Sequence, residues 1–460
     1  MKEVRGPGNR FARRWYLNLQ ALGAAATILL GCEALVVPAA GQSTVYNVMN
    51  FGAKGDGIAD DAPAIQNAEL AAEASGGAVY LPAGTYFMNS TVVVGSHIEI
   101  YGDGNSSVLV RSNTTSMVAM YAGDCTTNKP PRGAFRMVFI NRHYNCEDDG
   151  IHLHDFEIDG SRMNEVPNSG MITFSGLANS AVDHLTLKNT PQDAIFFRNG
   201  GHNVSVHDNT ILLHNLYWGN GSGINIEMHP DGHIWGPVTI ANNTIETAGP
   251  NFCTAALNQA CRSDADCAGM QPATCGKGAS TSAAIGVTWI GGPAPVVLIS
   301  GNRILVANNH YGIICNGCTD SEIQSNVITS AQGASVSTGT FTGISSYATK
   351  GGEPHHIRIE GNTIEGTGSS VDGRAILVVG HGAMDTGIAV RGNTVAKENS
   401  TRAAIEVDGW RDVTISGNIL CSVPNRRIAW GLQNLPVVNA TSTGNASPPA
   451  GSGSCAGPSD

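Results

Sequence analysis

Four side chains able to move protons or hold a cation fall within seven residues of one another: Glu227, His229, Asp231 and His233, in the stretch GSGINIEMHPDGHIWG. Only 14% of the chain is charged, so such a cluster is a candidate for chemistry. A histidine beside a carboxylate can serve as base or acid in proton transfer. Glu227 and Asp231 offer the oxygen ligands that Ca2+ prefers. Glu227, His229 and His233 carry zinc-ligand types, on a loop spacing that does not by itself impose tetrahedral geometry. A polar loop that merely contains histidines is the plain alternative.

The elements that must position this cluster are legible as a repeat. VHDNTI, IANNTI, ISGNRI, IQSNVI, IEGNTI, VRGNTV and ISGNIL place asparagines at Asn209, Asn243, Asn302, Asn326, Asn362, Asn393 and Asn418. Alternating with them are DAIFF, SGINIEM, AAIGVTW, YGIIC, TGISS, RAILVV and AAIEV. Each segment is short, β-branched or apolar, and bounded by Gly, Asn or Asp, with no helical periodicity between. Repetition at this scale means a solenoid, and short strands wound in parallel make an all-β, single-stranded parallel β-helix. Asparagines at its turns are expected to ladder from coil to coil. The open end needs a cover, and ADDAPAIQNAELAAEAS supplies a capping helix with Asp60 or Asp61 as N-cap and Pro63 in its first turn.

Aligning Ile172, Ile195, Ile224, Ile285, Ile313, Ile344, Ile376 and Ile405 stacks the coils. Alternation then sends the residues one and three places later outward. The outer column three places on reads Ser175, Arg198, Glu227, Thr288, Asn316, Tyr347, Val379, Asp408. Arg198 and Glu227 become neighbours about 5 Å apart, and His229 projects from the same face if the strand continues. Asp193, two residues before Ile195, adds a second carboxyl. Two long loops, HPDGHIWG and the insertion at 253–275, raise walls beside this face. Tyr217, Trp218, Trp235 and Trp289 are candidates to stack on the flat face of a bound ligand, or else pack beneath the loops. A cross-rung ion pair without chemistry is the plain reading of Arg198 and Glu227.

The remaining features bound compartment and partners. A net charge of -11 argues against nucleic acid or an anionic membrane surface as partner. Residues 1–41 read as an export signal, with Arg10, Arg13 and Arg14 before an apolar stretch. Its exit is a small-residue cleavage near Ala39-Ala40, or a lipid anchor at Cys32. No later segment is long and apolar enough to span a bilayer. The expected domains are a β-helix at 42–440, interrupted by the cysteine-rich loop at 253–275, and a flexible tail at 441–460. Four of the ten cysteines that remain without Cys32 lie in that loop, as two disulfides or a zinc site. Cys315 and Cys318, in CNGC, read as structural, and Cys455 is a candidate partner for Cys421. Trimer formation has no signal in the sequence.

YNVMNFGAKGDGIADDAPAIQNA followed by GGAVYLPAGTY resembles the N-terminal signature of the pectate-lyase-like superfamily. With the repeats, the resemblance covers roughly residues 45 to 420. It implies a right-handed parallel β-helix and a polysaccharide partner. Polygalacturonases, phage tailspikes, polysaccharide lyases and uronan epimerases share this signature, so it does not fix the reaction. Asp193 matches the first aspartate of the polygalacturonase pattern. The next coil has Gly221-Ser222 where that family carries its aspartate pair, and the coil after has Ala283 where it carries histidine. A hydrolase would therefore need Asp193 with Glu227 in another arrangement. The lyases of the superfamily neutralise a uronate carboxylate and abstract the adjacent proton. Arg198 is the candidate cation, His229 the base and His233 a second base candidate, with Ca2+ on Glu227 and Asp231 as an alternative neutraliser. The expected function is an exported enzyme cleaving an acidic polysaccharide by β-elimination. A hydrolase and a non-catalytic carbohydrate-binding protein are kept open. The segment RHYNCEDDGIHLHDFEIDG is dense in Asp and His; the resemblance makes its Asp159 a turn former closing the first regular coil, and His355-His356 read as exposed residues leading into a strand.

Overall fold

In the computed structural model the described residues run from 44 to 448, apart from 113–136, 145, 162–169, 191, 213–220, 229–235, 248–250, 254–255, 262–267, 270–274, 277–282, 290, 292–293, 307–310, 331–340, 349–354, 367–373, 381–384, 398–402, 422–427 and 432–434. Each coil contributes three short strands because its apolar runs are short and end in turn residues. One coil runs Ile195–His202, Val204–His207, Thr210–Leu212, and the next runs Ile224–Met228, Val238–Ala241, Thr244–Glu246. Every strand pairs in parallel with its counterpart one coil on. The first strands of the coils form a 12-stranded sheet, and the second and third together form a 23-stranded one. The chain is a right-handed parallel β-helix.

Three apolar columns fill the interior. The isoleucines at 172, 195, 224, 285, 313, 344, 376 and 405 pair in the expected register, and all are fully buried. Val206, Ile240, Ile299 and Ile323 stack beneath the second strands, and Ile211, Ile245, Ile304 and Ile328 beneath the third. Each buried aliphatic contributes about 1.5–3 kcal/mol. From Ile195 onward the residue before the strand isoleucine is always Ala or Gly, and at Gly312 the packing requires it. A Cβ on Gly312 would lie 2.5 Å from the backbone oxygen of Gly343 and 2.6 Å from the side chain of Ile328.

The asparagines form a continuous ladder. Nδ2 of Asn209 donates to Oδ1 of Asn243 at 3.0 Å, and the same bond links 243 to 302, 302 to 326, 326 to 362, 362 to 393 and 393 to 418 at 2.9–3.0 Å. Each Oδ1 from Asn243 onward also takes the backbone N–H of the asparagine below it. The amide is thereby satisfied inside the core, where an unmet polar group is costly. The turn has a second requirement. The residue before each asparagine has positive φ, for example Asp208 at 55°, Gly301 at 66° and Gly392 at 61°. This is why the repeat reads Gly-Asn so often: glycine, and less readily Asn or Asp, tolerates the left-handed region.

The helix α1 (Ala62–Ser75) covers the N-terminal end, burying Ala62, Ala64, Ile65, Ala68 and Ala72. The two aspartates at its start divide the work. Asp60 Oδ1 accepts the N–H of Ala62, while Asp61, at the N-cap, turns its carboxylate to the N–H groups of Lys54 and Gly55. Glu69 is fully buried, accepts the Gly95 N–H at 2.7 Å and pairs with Arg142 at 2.9 Å.

At the other end the structure differs from the expected boundary. Strand Val438–Thr443 pairs with Arg411–Ser416, and Asn445 carries the ladder one step further by accepting from Nδ2 of Asn418 at 2.9 Å. The last coil therefore extends into the stretch expected to be tail. Cys315 and Cys318 are joined by a disulfide and buried. Cys146 and Cys421 each take part in a disulfide as well, while Cys455 lies outside the described residues. The insertion contributes Asn251–Cys253, Ala256–Cys261 and Cys275–Gly276, a small antiparallel sheet of its own. The pairing of its cysteines lies outside what is described.

Candidate active site on the twelve-stranded sheet

Because Ile224 and Ile226 point into the core, the residues between and beyond them point out. Arg198 pairs in register with Glu227, Glu227 with Thr288 and Thr288 with Asn316. Oδ1 of Asn316 accepts the backbone N–H of Tyr347 at 3.3 Å. A cleft of about 330 Å³ follows this column from Glu227 onward, lined by Ser222, Asn225, Glu227, Thr288, Tyr311, Asn316 and Tyr347. It spans four coils, about 14 Å at the usual strand spacing, so its long axis suits a polymer.

Asp193 lies just before its strand and is only 6% exposed. Its Oδ1 accepts the Ser222 N–H at 2.7 Å. Burial pushes its carboxyl up to about 7, and the charge on Glu227 adds to the rise, against the stabilising bonds from Ser222 and Asn225. A carboxyl so shifted, next to a second carboxylate in a cleft, is the arrangement of groups that exchange protons near neutrality. Arg198 is half-buried, and its Nε is buried without a hydrogen-bond partner among the described residues. Further along the same face Arg374 is engaged by Glu406. Tyr347 is pushed upward by burial and stays protonated as a donor.

The structure thus brings together Asp193, Arg198 and Glu227 among the expected site residues. His229, Asp231, His233, Tyr217, Trp218 and Trp235 lie outside the described residues. Trp289 is half-buried, in register with buried Met228, and packs against the core. For the Ca2+ pair only Glu227 is described, and the three-residue metal-ligand groups found among the described residues lie elsewhere. Ser222, Asn225 and Tyr311 were missed by the sequence reading. Tyr311 carried a signal, since it stands two residues before Ile313, the place Asp193 holds before Ile195.

This is the class of parallel β-helix proteins with a polar cleft across one sheet. The chain belongs to the family described as rhamnogalacturonase A/epimerase, pectate lyase-like, whose profile matches residues 45–280. Among curated proteins it is similar to the mannuronan C5-epimerase AlgE1 of Azotobacter vinelandii, 39% identical over 97 residues, 18% of this chain and 7% of that protein. It is similar also to alginate lyase 7 of the same organism, 40% identical over 74 residues, 14% of this chain and 9% of that one. The chain thus matches only a small part of these relatives' length. Among solved structures it is similar to the Streptococcus pneumoniae surface adhesin PfbA, with a TM-score of 0.60 and 18% identity, covering 88% of this chain and 91% of that one. It is also similar to the family 28 exopolygalacturonase of Yersinia enterocolitica, at 0.55 and 14%, covering 89% and 78%. At these identities the structural likeness concerns the fold.

Proposed function

We propose that the chain is an exported enzyme that acts on a uronate polysaccharide lying along the cleft, and that it cleaves by β-elimination. The observation that supports this best is Arg198, a cation with an unmet buried donor, in register beside Glu227 within an otherwise acidic protein. The proton next to a uronate carboxylate becomes removable once a cation neutralises that carboxylate. Arg198 does so in this reading, Glu227 orients it, and His229, two residues beyond Glu227, is the assigned base. The names of the curated relatives, which include uronate epimerases and an alginate lyase, favour the same substrate class. Disulfides among the described cysteines suit an oxidising compartment.

A second reading has its own observation. With its carboxyl near 7, Asp193 can donate a proton to a leaving oxygen while Glu227 activates water, which is hydrolysis with two carboxyl groups. The two differ in product. The purified protein is incubated with a panel of uronate and neutral polysaccharides, following new reducing ends and the ultraviolet absorbance of unsaturated uronate together. Both signals rising supports elimination, and Arg198→Ala, Glu227→Gln and His229→Ala should each then lower kcat/KM by about 100-fold or more. Reducing ends alone, lost in Asp193→Asn, would replace elimination by hydrolysis. Binding without either signal would leave a carbohydrate-binding protein.

A further inference from the structure

The Asp- and His-rich segment that ends in the turn residue Asp159 does more than turn. Asp159 does close a coil, accepting from the backbone and hydroxyl of Ser161 and from Asn189. The histidines before it, however, sit on the outer face of the 23-stranded sheet, not on the sheet that carries the cleft. Glu99 pairs in register with His152, and Tyr101 with His154, across neighbouring strands. The two imidazoles stack with centroids 4.2 Å apart. One ligand atom from each of Glu99, His152 and His154 lies within 4.8 Å of the others.

The second contacts of the two rings give the cluster its meaning. His154 faces Glu99 Oε1 with Nε2 at 3.0 Å and Asp155 Oδ2 with Nδ1 at 2.8 Å. His152 faces Asp183 Oδ2 with Nε2 at 2.6 Å, which leaves Nδ1 as the nitrogen to coordinate. Each ring therefore has one nitrogen held by a carboxylate that is not part of the trio. That is how metal-bound histidines are held: the outer carboxylate fixes the tautomer and makes the inner nitrogen a better ligand. Side-chain exposures of 45% for Glu99, 40% for His152 and 15% for His154 leave the trio open to solvent.

We propose that Glu99, His152 and His154 bind a divalent transition metal, zinc above all, with Asp155 and Asp183 as the carboxylates that orient the two imidazoles. Two imidazoles and one carboxylate suit zinc and its neighbours and are a poor set for Ca2+ or Mg2+, which want oxygen alone. Tetrahedral ligands at about 2.0–2.1 Å from zinc stand ~3.3 Å apart, so closing the trio needs only small side-chain rotations. The metal takes the place of the proton between Glu99 and His154. Its fourth position faces solvent and accepts water or an outside ligand. Because the trio spans two coils, the bound metal also clips them together.

The test uses tag-free, chelator-stripped protein in which His355 and His356 are both alanine. That change removes the other three-residue group found among the described residues, Asp320 with His355 and His356, at an exposed place. Calorimetric titration with ZnCl2 at neutral pH should show one zinc per chain with a Kd of about a micromolar or lower, a higher unfolding temperature with zinc, and no response to CaCl2 or MgCl2. His154→Ala should weaken binding by about 100-fold, and Asp183→Asn by about 10- to 100-fold. Glu99→Gln alters a half-exposed side chain and serves if a histidine variant does not fold; it should weaken binding by about 10-fold or more. Zinc binding that Glu99→Gln leaves unchanged would overturn the proposal, as would binding no tighter than millimolar.

Discussion

Asp193 shows most clearly how a residue's neighbours set its chemistry. In an unfolded chain its carboxyl would ionise near 3.8, and in the fold it ionises near 7. Between those values the folded state holds a proton that the unfolded state has released, so acid favours folding there. The contribution is fully present below about pH 4 and is lost as pH rises through about 7. A rise of this size corresponds to ~4 kcal/mol as an upper figure. Asp193→Asn keeps an acceptor for the Ser222 N–H and removes the buried charge. We expect it to be more stable than the wild type by ~1–3 kcal/mol at pH ~8, with the advantage gone at pH ~5, in denaturant titrations at the two pH values. The residue itself was legible, because it stands at a fixed offset from its strand isoleucine. Its shift was not, because the groups that act on the carboxyl stand on the next coil: Glu227, which adds to the rise, and Ser222 and Asn225, which oppose it, lie 34, 29 and 32 positions further along the chain. Arg198 beside Glu227 was legible for the opposite reason: a parallel register carries an offset unchanged from strand to strand.

At the scale of the element, the coil is defined by two sequence marks, an inward isoleucine and a buried asparagine. Both were readable because they recur. The eighth rung of the ladder, Asn445, was missed because Val438–Thr443 is exposed along its length and so shows no apolar alternation. The ladder makes a graded prediction. Asn326→Ala would strip the Ile299 carbonyl of its side-chain donor, and the Asn302 backbone N–H and one of the two Nδ2 hydrogens of Asn302 of their acceptor. All of these are buried, so the cost should be ~3–5 kcal/mol. Asn445 is half-buried, and Asn445→Ala should cost about 1 kcal/mol, since water can replace it. Equal losses in chemical denaturation would contradict the idea that burial sets the value of each rung. The ends of α1 were placed well from sequence, but the sharing of work between Asp60 and Asp61 depends on Lys54, Gly55 and Asn89, which no local pattern foretells.

For the molecule as a whole, the N-terminal cover is the place where one coil must meet something other than another coil. Arg142 reaches α1 from beyond the first coils and is shared by Glu69 and Glu73, at 2.9 and 3.0 Å. Burial pushes the Glu69 carboxyl upward, and Arg142 opposes that rise. Removing the cation strands a buried carboxylate, so Arg142→Ala should destabilise by ~3–5 kcal/mol, and adding Glu69→Gln should recover much of the loss. Thermal unfolding of the single and double variants checks this, and no recovery would mean that Arg142 acts through packing. The ladder has one further consequence for the whole. Every rung hands its hydrogen to the next in the same direction, so the side-chain amides add head to tail along the axis. Each bond polarises its neighbours in such a chain. The β-helix is therefore an electrically oriented rod, its two ends unlike even where their sequences are alike, and a coil inserted upside down would break the circuit at both faces.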